Sequence, residues 1–199
     1  ISIRSFGGTL FPNSNPNLSA HMNLQFSTSG VANFIEGDLE MLFKLNRVKL
    51  EILGSFSKQF FLSFRQSFNK YSNPHSLDNL SSSIEYALVN WKMSDKFTLT
   101  AGKQDIALGG YEYYVNAIKV REYSEFNDNI SCYQAGVAED QSVITNELVL
   151  QVVNNRSGEN DETYLYGLPQ GVEKAKVPVL STVNWNGFFF DNAVQLRYA

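Results

Sequence analysis

The chain has 199 residues, a formal net charge of −4, 18% charged residues and 14% aromatic residues. The acidic balance gives no electrostatic footprint for nucleic acid. Two histidines and one cysteine, Cys132, form no zinc-type cluster and no internal disulfide, so we expect no metal and no other cofactor. Few charges with many aromatics suit a membrane β-barrel as well as a soluble β-sandwich, and composition leaves both classes open.

The N-terminal part of the chain differs from the rest in its residue composition. Residues 1–19 contain two glycines, two prolines and several Asn and Ser residues, which predicts an irregular segment before a single domain of residues 20–199. The chain opens on Ile1 without a signal-peptide pattern and ends in a strand-like alternation, so we interpret it as a fragment or a trimmed mature chain. A first strand is predicted near Met22. Residues 30–43 fit either a turn followed by a strand or a short helix.

The next two predicted strands each carry a cation on their polar face. In residues 45–54, apolar residues alternate with polar ones, and the polar positions include Arg47 and Lys49. After a short turn, residues 60–67 repeat the alternation and place Arg65 on the polar face. Cations therefore recur on the same side of neighbouring strands.

The central hairpin shows the organisation most clearly. The stretches SIEYALVNWKM and FTLTAGKQ alternate with a period of two and are joined at Ser94-Asp95-Lys96, about as short a turn as a hairpin allows. The second strand leaves into a long loop, residues 105–130, with Gly109-Gly110 and four tyrosines. Short turns at one end and long loops at the other are typical of a transmembrane β-barrel.

The remainder of the chain repeats this pattern. A strand over residues 131–138 is predicted to turn at residues 139–141 into a strand over residues 145–154. A second long loop, residues 155–176, precedes a last hairpin around Asn186-Gly187. About eight to ten strands result, near the length that a tilted membrane strand needs. The predicted fold is all-β, an antiparallel transmembrane β-barrel of which this chain forms part.

Three stretches of the sequence carry a family resemblance. LNRVKLEILGSFSKQFFLSFRQSF reads as a strand pair, ALVNWKMSDKFTLTAGKQ as the next hairpin, and GGYEYYVNAIKVREYSEF followed by CYQAGV as a constriction loop and the strand after it. Together they resemble the phosphate-selective porin O and P family of bacterial outer membranes, over roughly residues 40–155. The resemblance implies a barrel of about 16 to 18 strands, of which this chain would supply about half.

The resemblance also implies a function. It points to an outer-membrane porin without enzymatic activity, embedded in lipid and assembled as a homotrimer, through which small polar solutes diffuse, including anions such as phosphate. Glu51, Glu85 and Glu147 share the predicted lumen face and the net charge is negative, which departs from a pore lined by cations. The candidate pore-lining residues are the cations of the wall and of the first long loop: Arg47, Lys49, Arg65, Lys103, Lys119 and Arg121.

Two interpretations of the wall cations stay open. Arg47, Lys49 and Arg65 could form a ladder that attracts anions into a narrow water-filled pore. Alternatively, they pair across strands with Glu51 and Glu147 and only stiffen the wall. The loop of residues 105–130 likewise either folds into the lumen or packs on the surface.

The alternative fold is a soluble or surface β-sandwich that binds carbohydrate or protein through tyrosines of residues 111–123 and 164–166. In a sandwich the apolar face of each sheet is the core, whereas in a barrel that face meets lipid. No Ser/His/Asp constellation supports an enzyme. Four aromatic residues are candidates for the girdles of a barrel at the membrane interface: Tyr86, Trp91, Trp185 and Tyr198.

Overall fold

A computed structural model describes residues 2–9, 18–35, 38–69, 80–108, 132–143, 145–155, 170–173 and 179–199. These residues form ten strands in one sheet, and every neighbouring pair is antiparallel. The strands are β1 Ser2–Thr9, β2 Ser19–Ile35, β3 Asp38–Ser55, β4 Phe60–Ser67, β5 Ile84–Lys92, β6 Phe97–Asp105, β7 Tyr133–Val143, β8 Asn146–Asn154, β9 Val179–Phe189 and β10 Val194–Tyr198. The prediction of an all-β antiparallel fold is confirmed.

The order of strands in the sheet follows the order in the chain, from β1 to β10. Successive connections therefore alternate between the two ends of the sheet. The turns after β3, β5, β7 and β9 lie at one end and are short, whereas the segments after β4, β6 and β8 lie at the other end and are long. From β3 onward this is the asymmetry that the central hairpin predicted and that is typical of a transmembrane β-barrel. The first two connections, residues 10–18 after β1 and residues 36–37 after β2, reverse it.

Three local predictions are wrong. The segment of residues 1–19 is not irregular throughout, because Ser2–Thr9 forms β1 and pairs with β2. The turn predicted at residues 139–141 lies inside β7, which continues to Val143. Likewise Asn186 and Gly187 lie inside β9, and the chain turns later, where three consecutive residues have φ between 53° and 69°. These three are Phe190, Asp191 and Asn192.

The strands β2 and β3 resolve the ambiguous residues 30–43 in favour of strands. The two strands pair from Ser19↔Ser55 to Ile35↔Asp38, and a register shift after Ser27 leaves Asn46 as an extra residue in β3. A β-bulge of this kind increases the local twist of the pair. Since β1 pairs with β2 only as far as Thr28, the part of the hairpin beyond the bulge extends past its neighbour β1.

The two faces of the sheet have inverted polarity compared with a soluble protein. On β8, Gln151 is 3% exposed whereas its neighbour Val152 is 44% exposed. The same contrast runs through the described strands, where the buried polar residues outnumber the three buried apolar ones. The buried polar residues are Gln25, Ser27, Lys49, Glu51, Arg65, Ser67, Ser83, Glu85, Lys103, Gln104, Gln134, Gln151, Asn184 and Asn186.

This inversion decides between the two predicted folds. A sandwich packs two sheets together through their apolar faces. Here the described strands form one sheet whose apolar side chains are exposed and whose polar side chains are buried. The sandwich alternative is therefore wrong, and the sheet has the arrangement of a partial porin barrel, apolar outside and polar inside.

Aromatic residues on the apolar face gather near the short turns. Phe60 and Trp91 stack with their ring centroids 5.8 Å apart, and both side chains are exposed. Trp185 donates a hydrogen bond from Nε1 to Asn146 Oδ1 at 3.0 Å beside the turn after β7. Amphipathic rings at this level are typical of a membrane-interface girdle. Tyr86 is not part of it, because its ring lies against Arg65 on the polar face.

Two glycines that pair with each other allow β6 to lie close to β5 and β7 to lie close to β8. Gly102 of β6 pairs with Gly136 of β7. A Cβ on Gly102 would lie 2.2 Å from the Ala87 carbonyl oxygen, and one on Gly136 would lie 2.2 Å from the Val152 carbonyl oxygen. Gly102 also has φ +122°, which L side chains rarely adopt. The regular alternation of exposed and half-buried residues in β6 ends at this glycine.

Candidate functional site

The site begins with an irregularity in β5. Arg65 of β4 pairs with Tyr86, but the next residue, Gln66, pairs with Ile84, so Glu85 is the extra residue of a β-bulge. A bulge re-aims side chains locally. As a result, Glu85 and Tyr86 both face the polar side, although successive strand residues ordinarily face opposite sides.

Glu85 binds two cations from the neighbouring strands. Lys49 Nζ of β3 lies 2.9 Å and 3.0 Å from the two carboxylate oxygens, and Arg65 Nε of β4 lies 2.7 Å from Oε2. The Glu85 side chain is completely buried, and those of Lys49 and Arg65 are almost so. Charge-assisted hydrogen bonds of this length are among the stronger polar contacts in proteins.

Each guanidinium nitrogen of Arg65 has a partner on the wall. Besides the Nε contact with Glu85, Nη1 lies 3.9 Å from Glu51 Oε1 and Nη2 donates to Tyr133 Oη at 3.0 Å. The guanidinium also lies 4.0 Å from the centre of the Tyr86 ring, within the range of a cation–π interaction. Arg65 is therefore held in one orientation by contacts from four directions.

Three further contacts complete the group. The Tyr86 hydroxyl donates a hydrogen bond to the Asp105 carboxylate at the end of β6, and Asn23 Nδ2 donates to Glu51 at 3.0 Å. The Tyr86 and Tyr133 rings meet edge to face at 5.5 Å. We call seven residues the wall cluster: Lys49, Glu51, Arg65, Glu85, Tyr86, Asp105 and Tyr133. The cluster spans β3 to β7 and holds two cationic side chains and three carboxylates.

The predicted pore-lining residues fall into four groups. Lys49 and Arg65 lie on the polar face, inside the wall cluster. Lys103 is 3% exposed, and its Nζ lies 3.5 Å from the Ser81 carbonyl oxygen. Arg47 is half-buried and pairs with Ser27 at the bulge of β2 and β3. The two predicted loop cations, Lys119 and Arg121, lie outside the described residues.

Sequence reasoning missed the centre of the cluster. It placed Glu85 on the lumen face but named Glu51 and Glu147 as the partners of the cations. In the structure Glu51 is the more distant partner of Arg65, and Glu147 accepts from Asn186 at 2.6 Å instead. The role of Glu85 depends on the bulge in β5, and period-two alternation gives no signal of a bulge.

The segment after β6 turns onto the polar face. Ala107 makes two hydrogen bonds to side chains of more distant strands: its N–H donates to Gln151 Oε1 of β8 at 2.8 Å, and its carbonyl accepts from Asn184 Nδ2 of β9 at 2.5 Å. Gln151 Nε2 also donates to the Asp105 carbonyl at 2.8 Å. Residues 106–108 thus cross from β6 past β7 to β8 and β9. The rest of the predicted inward loop lies outside the described residues.

Comparisons with known proteins identify the family. A protein-family model described as phosphate-selective porin O and P matches residues 19–199. No curated protein and no solved structure gives a significant match. In the part of the chain that the structure describes, no helix is long and apolar enough to cross a membrane, and no three His, Cys, Asp or Glu residues are grouped to hold a metal ion. With all but its first eighteen residues matched, the chain belongs to the phosphate-selective porin O and P family of bacterial outer-membrane porins.

Proposed function

We propose that this chain forms part of the wall of a water-filled channel through which small polar solutes, anions such as phosphate among them, diffuse passively. The observation that carries the proposal is the inverted polarity of the sheet, with buried Gln, Asn, Lys, Arg and Glu side chains on one face and exposed apolar side chains on the other. Such a sheet suits lipid outside and water inside. Selectivity then depends on pore radius and fixed charge, and no catalytic step is needed.

The proposal includes closure of the sheet by further strands. β1 and β10 each pair with a single described strand, so the sheet has two open edges. In a bilayer, unpaired backbone groups at an edge have no water to bind, and each costs several kcal/mol. The family barrel of about 16 to 18 strands would pair both edges. We also infer, from the family resemblance, contact with outer-membrane lipid and assembly as a homotrimer.

The direct test is single-channel recording of the full-length protein in a planar bilayer, with reversal potentials measured in gradients of potassium chloride and potassium phosphate. We expect stepwise, ohmic conductance. Folding is checked separately by the altered gel migration of an unheated barrel. Folded protein that gives no conductance would rule out the channel, and the proposal would then be abandoned.

A charge on the lipid-facing side should destabilise the inserted barrel. Val89 of β5 is 42% exposed on the apolar face, two residues from Trp91 of the girdle, so the loss from Val89→Lys should lie between the roughly 1 kcal/mol of an interface position and the roughly 2–4 kcal/mol of the bilayer middle. The adjacent Asn90 bonds to Thr100 Oγ1 at 2.6 Å on the polar face, and Asn90→Lys is the matched control. The measurement is urea unfolding of the protein in lipid vesicles. On a soluble protein, an exposed Val89→Lys would be harmless, so equal stability of the two variants would contradict the membrane assignment.

The hydrogen bonds that attach residues 106–108 to the wall should limit the ionic current through the pore. Gln151→Leu removes the acceptor for the Ala107 N–H and the donor to the Asp105 carbonyl. If the loop that follows narrows the lumen, its release should raise the single-channel conductance and the current noise. Thr100→Val, which removes a polar-face hydrogen bond to Asn90 far from this segment, is the control. Identical conductance in wild type and Gln151→Leu would place the loop outside the conducting path.

A further inference from the structure

We propose that Glu85 sets the charge preference of the pore, by holding Lys49 and Arg65 in contacts that keep them from attracting anions. Removing the charge of Glu85 should shift the pore toward anions. The inference rests on the proposed channel function, and it concerns which ions the channel favours. It reverses the simple expectation that cations on the wall of a phosphate-selective porin form an anion ladder.

The geometry of the contacts supports this role. One carboxylate meets Lys49 Nζ through both oxygens and Arg65 Nε through Oε2, all within 3.0 Å. An anion that approached Arg65 would find Nε directed at Glu85, Nη1 toward Glu51 and Nη2 at Tyr133, with Tyr86 against the guanidinium plane. Since Arg65 is 2% exposed, a passing solute cannot replace these contacts without displacing the wall itself.

The charge balance supports it as well. The wall cluster contains two cations, Lys49 and Arg65, against three carboxylates, Glu51, Glu85 and Asp105. Fixed charges in a narrow aqueous pore with low-dielectric walls control the local concentration of mobile ions. Of the three carboxylates, Glu85 alone is within hydrogen-bond distance of both cations. Its neutralisation therefore removes the close counter-charge of both cations in a single change.

The position of Glu85 is specific to the bulge. Glu85 is the extra residue between the pairs Arg65↔Tyr86 and Gln66↔Ile84. In a regular strand, either Glu85 or Tyr86 would face lipid, and the cluster would lose its central carboxylate or its aromatic contact. The bulge thus brings a compensating anion to the wall where two neighbouring strands present cations.

The test compares the anion-to-cation permeability ratio of wild type and Glu85→Gln in the full-length protein, from reversal potentials in a potassium chloride gradient and then in potassium phosphate. Glutamine keeps the shape of glutamate and an acceptor oxygen for Lys49 and Arg65. We expect the ratio to rise about threefold, as one unit charge removed a few ångströms from a hydrated ion predicts. The rise should shrink at high ionic strength, where such charges are screened.

Two further variants make the result decisive. Glu139→Gln removes the same charge from the apolar face, where Glu139 pairs with the exposed Leu99 and Leu150, and should leave the ratio unchanged. Lys49→Gln should shift the ratio toward cations, because it leaves Glu85 with less positive charge. If Glu85→Gln does not fold, Lys49→Gln alone decides: a ratio equal to wild type would overturn the proposal. Conducting channels in which Glu85→Gln and wild type have equal ratios would also overturn it, whereas absent conductance in wild type would refute the channel function itself.

Discussion

Gly136→Ala should strongly destabilise the folded barrel. A methyl group at this position would lie 2.2 Å from the Val152 carbonyl oxygen and 2.6 Å from Val153 Cα, both in the backbone of β8. Backbone atoms in a ladder cannot move aside without breaking the pairing of β7 with β8. We expect a loss of about 4 kcal/mol, at the upper end of what single substitutions cost.

The measurement is the free energy of unfolding in urea, with the altered migration of the unheated barrel as a second readout. Gly54→Ala in β3 is the matched control, because a Cβ there has its nearest neighbour, the Ser19 carbonyl oxygen, at 3.7 Å. That substitution should be neutral or slightly stabilising, since alanine restricts the unfolded chain more than glycine does. Equal stability of Gly136→Ala and Gly54→Ala would show that β7 and β8 are not held as closely as the structure has them.

Gly102→Ala extends the same argument to the neighbouring strand. A Cβ added to Gly102 would lie 2.2 Å from the Ala87 carbonyl oxygen, and the backbone of Gly102 has φ +122°. Alanine there would meet steric overlap and an unfavourable backbone conformation together. Because Gly102 and Gly136 pair with each other, their effects should not be additive when combined, and the double variant should lose less than the sum of the two single losses.

The sequence predicted the regular parts of this fold well. Period-two alternation in β3, β4, β6 and β8 was sufficient to place the strands and their polar faces, because that alternation follows directly from one face meeting lipid and the other water. Turns were less predictable. Asn186-Gly187 is a strong hairpin signal, yet the chain continues as β9 and turns at three residues with positive φ, Phe190 among them. Pairing with β8 as far as Gly187 outweighs the local turn preference.

The contacts within the wall cluster were only partly predictable from the sequence. Lys49 and Arg65 were identified because they recur on the polar face of adjacent strands. Their partner Glu85 and the aromatic contact from Tyr86 depend on a one-residue bulge, and a bulge moves every later side chain of the strand to the other face without a sequence signature of its own. Tyr133 lies sixty-eight positions from Arg65 in the chain, and only the sheet order brings the two together.

Arg65→Ala should be the most damaging change within the wall cluster. The substitution removes the arginine counter-charge from the buried carboxylates of Glu85 and Glu51. It also removes the cation–π contacts of the guanidinium with the Tyr86 and Tyr133 rings. Breaking a buried ion pair from one side costs about 3–5 kcal/mol. Arg65→Lys should recover only part of the loss. The lysine ammonium group lacks the planar, forked shape of a guanidinium and cannot contact Glu85, Glu51 and Tyr133 at the same time.

A double-mutant cycle separates the loss of the ion pair from the loss of packing. Arg65→Ala combined with Glu85→Ala should be more stable than the sum of the two single losses, by about 0.5–3 kcal/mol, since the second change removes the carboxylate that the first leaves poorly compensated. Lys92→Ala is the control, because Lys92 pairs with Asp95 at 2.8 Å in an exposed short turn. Its loss should stay below about 1 kcal/mol. Additive losses for Arg65 and Glu85 would mean that the two side chains stabilise the wall independently, and the cluster would then have no energetic role as a unit.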